Sequence, residues 1–223
     1  MEPQITWYAE SAIRIVTGGM RIIIDPFRIP DDQPETDVLL VSHDHPEHLS
    51  SRDIERVVGA HTAVFASRVA AEKLAGISNV QVIEAGDVVQ HGALTMEGVP
   101  AHNVNKFTGS GALVHPPEAG SLGFLLEIDD LSFYFSGDTD VIPEMERIGP
   151  VDYAFLSVGG TTVMTAEEAA QAVSSVQPSI AIPIHYGASA GTVEDACRFA
   201  ELVPDQVRVW IMNQSGNPSM PHH

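Results

Sequence analysis

Short apolar runs separated by turn residues recur along the chain and predict a fold that mixes strands and helices. Near the N-terminus, apolar runs at residues 13–16 and 21–24 enclose a Thr-Gly-Gly turn, a pattern typical of a β-hairpin. The remaining runs at strand length lie at residues 37–42, 62–66, 80–83, 88–90, 94–100, 123–128, 132–136, 153–158, 180–184 and 207–211. Apolar residues at helical spacing predict helices over residues 51–58, 67–74, 166–176 and 193–202.

The order of these elements favours one layered α/β domain. Strands followed by helices appear twice, which fits a sandwich of two sheets covered by helices on both outer faces. We therefore expect a single domain over residues 1–220. Residues 221–223 read Pro-His-His and are consistent with a tag remnant.

Composition narrows the classes of partner. The 223 residues are 44% apolar, enough for a substantial core, and their formal net charge is −19. A negative field argues against nucleic acid and anionic membrane surfaces as partners, although it leaves an anionic small-molecule substrate open. The one cysteine, Cys197, excludes an internal disulfide framework and a cysteine-based zinc site, and we expect it to pack in a helix. With no signal peptide or membrane-spanning run visible, we expect a cytoplasmic protein, and a homo-oligomer remains open.

One motif carries most of the chemical information. Directly after the apolar run at 37–42, His43, Asp44, His45, Pro46, Glu47 and His48 spell H-x-H-x-E-H. Three imidazoles and a carboxylate at a strand end are typical ligands of zinc, iron, nickel or copper, and a carboxylate also suits manganese. Each of three further donors follows a later predicted strand, namely His102, Asp138 and His185. Ligands at one end of packed sheets can converge, so the pattern predicts a two-metal hydrolase.

Other histidines lack this pattern. His61 and His91 lie in predicted turns. His115 lies in a Gly- and Pro-rich segment, residues 103–121, which we interpret as a long surface loop from which it could reach a substrate. Lys106 in the same loop has two interpretations, as a contact for an anionic substrate group or as a solvated surface side chain.

Five motifs in order resemble the metallo-β-lactamase superfamily, most closely its UlaG-like, UPF0173-type metal-dependent hydrolases. They are IIIDPF at 22–27, SHDHPEH at 42–48, SGDT at 136–139, GGTTVMTAEEAA at 159–170 and IPIHYG at 182–187. The resemblance implies an αββα four-layer metallo-β-lactamase sandwich. It also implies two divalent ions, with zinc favoured over manganese or iron.

The same resemblance implies roles for individual residues. The first metal would be held by His43, His45 and His102, and the second by Glu47, His48 and His185, with Asp138 bridging the two. Asp25 matches a family position that braces the ligand loop, while its sequence context, Asp25-Pro26, equally fits a strand-ending turn.

One position departs from the family pattern, which usually has Asp where this chain has Glu47. The extra methylene can shift or weaken the second metal site. Glu47 is also the candidate catalytic residue, as acceptor of a proton from the nucleophile.

The expected function is hydrolysis by a metal-bound hydroxide at a binuclear site. We expect a small ester, lactone or phosphoester as substrate, which makes the protein a lactonase, an esterase or a phosphodiesterase. No nucleophile elbow or phosphate-binding loop is present. The alternative is a metal-binding protein without turnover, a sensor or scaffold whose second site has decayed.

Overall fold

The computed structural model describes residues 2–216. They form two compact units. The N-terminal unit comprises residues 2–83 and 213–216, and the C-terminal unit residues 84–212. The single domain over residues 1–220 therefore stays a prediction, and residues 221–223 lie outside the described part.

A six-stranded mixed sheet organises the N-terminal unit, with its strands in sequence order. The strands are β1 (Gln4–Trp7), β2 (Ile13–Thr17), β3 (Met20–Ile24), β4 (Val38–Val41), β5 (Ala63–Ser67) and β6 (Val80–Ile83). The first two pairings are antiparallel and the other three are parallel. Every residue of β4 is buried, as expected for a central strand of a parallel segment.

Two short helices cover this sheet, α1 (Ser51–Val57) and α2 (Arg68–Lys73). Each begins at a serine that caps it: Ser50 accepts from Asp53 N, and Ser67 accepts from Ala70 N. Their buried faces join side chains of β3, β4 and β5 in one apolar core. This packing holds β4, from whose end the H-x-H-x-E-H turn emerges.

A seven-stranded mixed sheet organises the C-terminal unit, in the order β13-β12-β11-β10-β9-β8-β7. The strands are β7 (Val88–His91), β8 (Leu94–Pro100), β9 (Leu122–Ile128), β10 (Leu131–Phe135), β11 (Val151–Ser157), β12 (Pro178–Ile184) and β13 (Arg208–Val209). Strands β7 to β10 are antiparallel neighbours, and β10 to β13 pair in parallel. Asp129 and Asp130 both have positive φ angles and form the tight β9–β10 turn.

Two helices, α3 (Ala166–Val176) and α4 (Val193–Leu202), pack on this sheet and on each other. Both begin with a capping box, Thr165 with Glu168 and Thr192 with Asp195. Cys197 lies in a helix, as expected, but it is exposed on α4, so the expectation that it packs as a small apolar residue was wrong. Ala196 and Phe199 supply the buried face of that helix, and position 197 falls beside it.

Candidate metal centre

Three histidines of the H-x-H-x-E-H motif cluster at the end of β4. A turn closes when His48 N and Leu49 N both donate to His45 O, at 3.0 and 2.9 Å, and this folds His48 back beside His43. The ring centroids of His43 and His48 are 4.0 Å apart, and those of His43 and His45 4.6 Å. His43 and His48 are buried, whereas His45 is half-buried. We call His43, His45, Glu47 and His48 the first donor cluster.

A buried carboxylate braces this cluster from behind. Asp25, which is fully buried, accepts from Ser42 N at 2.7 Å and from Ser42 Oγ at 2.6 Å. Its Oδ2 also lies 2.7 Å from His48 Nδ1. Of the two roles open for Asp25, the bracing one is therefore confirmed, because its carboxylate contacts the ligand loop directly.

These contacts place a proton on Nδ1 of both rings. An ionised carboxylate only accepts hydrogen bonds, so His48 Nδ1 donates to Asp25 and the lone pair of the ring lies at Nε2. Ser42 Oγ gives its one proton to Asp25 and must therefore accept from His43 Nδ1, 3.0 Å away. In the neutral form of both imidazoles Nε2 is therefore the unprotonated nitrogen, which is the form in which histidine binds a metal ion.

Glu47 lies within the first donor cluster. A carboxylate oxygen of Glu47 lies within 4.8 Å of a ring nitrogen of His48. A ring nitrogen of His43 likewise lies within 4.8 Å of a ring nitrogen of His45. Glu47 is half-buried, so its carboxylate retains access to solvent. The residue is placed where it can bind a metal or exchange a proton.

The C-terminal unit presents a second donor cluster around Asp138, which follows β10. Gly137 turns the chain there with a φ angle of 63°, and a Cβ at this position would lie 2.4 Å from Leu122 O. Ser136 Oγ and Ser157 Oγ both donate to Gly137 O, at 2.9 and 3.0 Å. Only glycine fits this close approach, and the two serines hold the turn that orients the buried Asp138.

His185 follows β12 and lies beside Asp138. Its Nε2 is 3.3 Å from Asp138 Oδ2, and its backbone has a φ angle of 59°. Gly159 permits this turn, since a Cβ there would lie 2.5 Å from His185 O. Burial raises the pKa of the adjacent Tyr186 to about 12, with a smaller contribution from Cys197, so this phenol stays neutral at physiological pH.

His115, assigned to a surface loop from sequence, is buried in this cluster. Its Nε2 lies 3.6 Å from Asp138 Oδ2. Asn103 orients the His115 ring. Asn103 Nδ2 donates to Thr162 O at 3.0 Å, so Asn103 Oδ1 faces His115 Nδ1 at 3.0 Å and accepts a hydrogen bond from it. A carboxylate oxygen therefore faces Nε2 of this imidazole, and these two donor types together suit a metal cation. We call His115, Asp138 and His185 the second donor cluster.

His102 has a different environment. Thr139 binds its backbone, since Thr139 Oγ1 accepts from His102 N at 3.2 Å and lies 3.0 Å from His102 O. The His102 ring is half-buried, with Nδ1 3.4 Å from Asn103 O. Within the part of the chain that the structure describes, His115 rather than His102 belongs to a group of converging donors. Sequence reasoning missed His115 because its position depends on how its loop folds.

Lys106 is not a solvated side chain, because it forms ion pairs with carboxylates of the protein itself. Its Nζ lies 3.0 Å from Asp140 Oδ1 and 2.7 Å from Glu168 Oε2, and the residue is 9% exposed. Burial tends to raise the pKa of Glu168, but hydrogen bonds from Lys106, Thr165 and Asn105 outweigh it and lower the pKa below its usual value. The ion pairs fasten the loop that carries His115 to the N-terminus of α3.

Comparison with known proteins agrees with the fold. A family model described as a β-lactamase superfamily domain matches residues 4–185. A UPF0173 metal-dependent hydrolase of Thermococcus kodakarensis is 30% identical, over 89% of this chain and 91% of the relative. Another, from Methanopyrus kandleri, is 28% identical over 91% and 92%.

Solved structures show the same fold. A crystal structure from Parabacteroides distasonis aligns with a TM-score of 0.82 and 27% identity, covering 96% of this chain and 94% of the other. A metallo hydrolase of Ignicoccus hospitalis, Igni18, aligns over 96% of each chain with a TM-score of 0.73 and 20% identity. The predicted αββα metallo-β-lactamase fold is confirmed.

The chain therefore belongs to the β-lactamase superfamily. Within it, the chain is a UPF0173-type protein and so belongs to a family of metal-dependent hydrolases. Among residues 2–216, no helix has both the length and the apolar character needed to cross a membrane.

Proposed function

We propose that this protein is a hydrolase that binds two divalent metal ions and cleaves a small ester, lactone or phosphoester. The observation that carries the proposal is the fixed tautomer of His43 and His48. Asp25 and Ser42 hold Nδ1 of both rings as the protonated nitrogen, so that Nε2 is the metal-binding nitrogen of the neutral imidazole. A buried pair of histidines prepared in this way has the form of a preorganised metal site.

The proposed ligands come from both donor clusters and follow the family order. The first ion would be held by His43 and His45, with His102 or His115 as the third imidazole, and Asp138 would be shared with the second ion. Glu47, His48 and His185 would hold the second ion. The contact between His115 and Asp138 supports His115 for the place that the family resemblance gave to His102. Zinc suits this donor set best, and manganese or iron are the alternatives.

When bound, the two ions supply Lewis acidity and lower the pKa of water towards ~7. The remaining chemistry belongs to the chain. Glu47, half-buried in the first donor cluster, accepts the proton that the nucleophilic water releases. Asp25 keeps the imidazole of His48 oriented, and Asn103 that of His115, while charge develops on the substrate during the reaction. We further propose a cytoplasmic protein acting on a small molecule, with self-association still to be measured.

A substrate panel tests the proposal. Protein reconstituted with zinc, manganese or ferrous iron is assayed with p-nitrophenyl acetate, γ-butyrolactone and bis-p-nitrophenyl phosphate. We expect turnover of one class, loss of it with a chelator and in Asp138→Asn, and retention in His91→Gln, a histidine of β7 outside both clusters. Turnover that survives both the chelator and Asp138→Asn would contradict the mechanism. Metal binding without turnover of any class would favour the sensor or scaffold.

A further inference from the structure

The segment of residues 103–115 exposes an aromatic side chain between two candidate donors. His102 directly precedes the segment and His115 ends it. Phe107 is 59% exposed and Val104 52% exposed. Among residues 2–216, Phe107 is the one aromatic residue in the group of exposed large apolar side chains. Exposure of a phenylalanine beside a candidate reaction centre needs an explanation other than core packing.

The segment is a hairpin with ordered cross-strand bonds. Val114 N donates to Lys106 O at 3.1 Å, Thr108 N to Ala112 O at 2.8 Å, and Phe107 pairs with Leu113 in an antiparallel bridge. Leu113 is two residues from His115, which limits the separation of their Cα atoms to about 7 Å. Bridge partners lie about 5 Å apart. The Cα atom of Phe107 is therefore within about 12 Å of the Cα atom of His115.

The base of the hairpin is fixed. Asp140 Oδ2 accepts from Val104 N and Asn105 N, at 2.7 and 2.9 Å. Lys106 enters the buried ion pairs with Asp140 and Glu168 described above, and Asn105 Nδ2 donates to Glu168 Oε1 at 2.7 Å. Phe107 is thus presented on an anchored support, which lowers the entropy cost of contacting a ligand.

Alternation along the hairpin separates its two faces. Lys106 is turned inward to its carboxylates, so the next residue, Phe107, is directed to the opposite face. Leu113, its bridge partner, shares that face and is half-buried. The one cation of the segment is engaged in ion pairs, so the exposed face offers apolar contact and no positive charge.

We propose that Phe107 and Leu113 contact the apolar part of the substrate and select esters or lactones whose acyl portion is an alkyl or aryl group of several carbons. This inference rests on the proposed function and names the substrate class of the same site. The acyl group would lie against the two side chains while its carbonyl lies at the metal donors.

Binding of product-like carboxylates to zinc-loaded protein tests the inference without requiring turnover. Wild type, Phe107→Ala and the control Val193→Ala, which is 57% exposed on α4, are titrated calorimetrically with acetate and hexanoate. We expect hexanoate to bind wild type and Val193→Ala at least about tenfold more tightly than acetate, and this preference to disappear in Phe107→Ala. In Phe107→Trp, hexanoate but not acetate should shift the additional tryptophan emission to shorter wavelength.

The outcomes separate the two proposals. Metal content is measured first, and protein that takes up no zinc, manganese or iron overturns the proposed function and this inference together. Zinc-loaded protein with the same preference in Phe107→Ala as in wild type overturns the inference alone. A wild-type dimer that Phe107→Ala dissociates, measured by sedimentation, assigns Phe107 to self-association and also overturns it.

Discussion

Replacing Asp25 with asparagine changes one atom of a buried carboxylate and should disable two histidines. The new side chain has two orientations in the wild-type position. If its amide nitrogen faced Ser42 N, two donors would meet and a buried N–H would lose its partner, at a cost of about 1–3 kcal/mol. The favoured orientation therefore keeps oxygen at the Oδ1 position, where Ser42 N donates at 2.7 Å. The amide nitrogen then occupies the Oδ2 position.

At the Oδ2 position this nitrogen faces His48 Nδ1 and Ser42 Oγ, 2.7 and 2.6 Å away in the wild type. It donates to both. His48 must accept at Nδ1, which transfers its proton to Nε2. Ser42 Oγ, which now accepts from the introduced amide, turns its own proton towards His43 Nδ1. Both rings would then carry a proton on the nitrogen needed for metal binding.

The expected loss is about 10–100-fold in zinc affinity, the range found when a partner of a metal-bound imidazole is removed. At about 1.4 kcal/mol for each factor of ten, this corresponds to about 1.4–2.8 kcal/mol. Because two ligands change together, the upper end of the range is expected. Ser42→Ala, which keeps the Asp25–His48 contact and removes only the one to His43, should fall near the lower end.

Zinc affinity is measured by competition with a chromophoric chelator, and the ring tautomers by ¹⁵N NMR. Asp53→Asn is the matched control, since Asp53 is equally buried and accepts from Arg28 N and Ile29 N at 2.9 and 3.2 Å. It should lower the free energy of unfolding without changing zinc affinity. An Asp25→Asn protein that is folded, binds zinc within about twofold of wild type and keeps Nε2 unprotonated would refute the reasoning.

Three further variants test the supports of the second donor cluster and its sheet by urea denaturation. Gly137→Ala should lower the free energy of unfolding by at least about 1–3 kcal/mol, from its left-handed backbone alone, whereas Gly109→Ala, with open space around its Cα, should leave it nearly unchanged. Lys106→Met should cost about 3 kcal/mol, because it leaves the buried carboxylate of Asp140 and the half-buried one of Glu168 without their cation. The pKa of Glu168 is lower in the folded protein than in the unfolded chain, so ionised Glu168 stabilises the fold fully above the unfolded pKa, and this stabilisation is lost as the pH falls through the folded pKa. The difference in free energy of unfolding between wild type and Lys106→Met should therefore shrink below pH 4.5. Tyr134→Phe should be neutral or raise stability by about 1 kcal/mol, because the buried hydroxyl has no partner within residues 2–216. The opposite sign in any of these would contradict the corresponding contact.

Elements defined by local pattern could be predicted closely. The bounds of α3 and its capping box follow from Thr165, Glu168 and the apolar spacing behind them, and the structure has the same bounds. Elements defined by pairing were less predictable. Gln4–Trp7 was not predicted because only its antiparallel pairing with β2 makes this short segment a strand. The strand predicted over 207–211 shortens to Arg208–Val209, the two residues that pair with Ile180 and Ala181 of β12.

The candidate metal donors also divide into those set by local sequence and those set by contacts between distant segments. The H-x-H-x-E-H motif is contiguous, so its clustering follows from a single turn. His115 acquires its place only when the hairpin brings it back against Asn103 and Asp138, far from it in sequence. A signal was present in retrospect: the Gly- and Pro-rich segment begins beside His102 and returns to the sheet just after His115.

The metal content of freshly purified protein tests the central claim most directly. Wild type and Glu47→Asp are measured by inductively coupled plasma mass spectrometry after removal of any affinity tag. The account predicts close to two ions per chain, or one ion in wild type rising to two in Glu47→Asp if the longer side chain weakens the second site. Protein that contains no metal, and takes up none on reconstitution with zinc, manganese or iron, would contradict it.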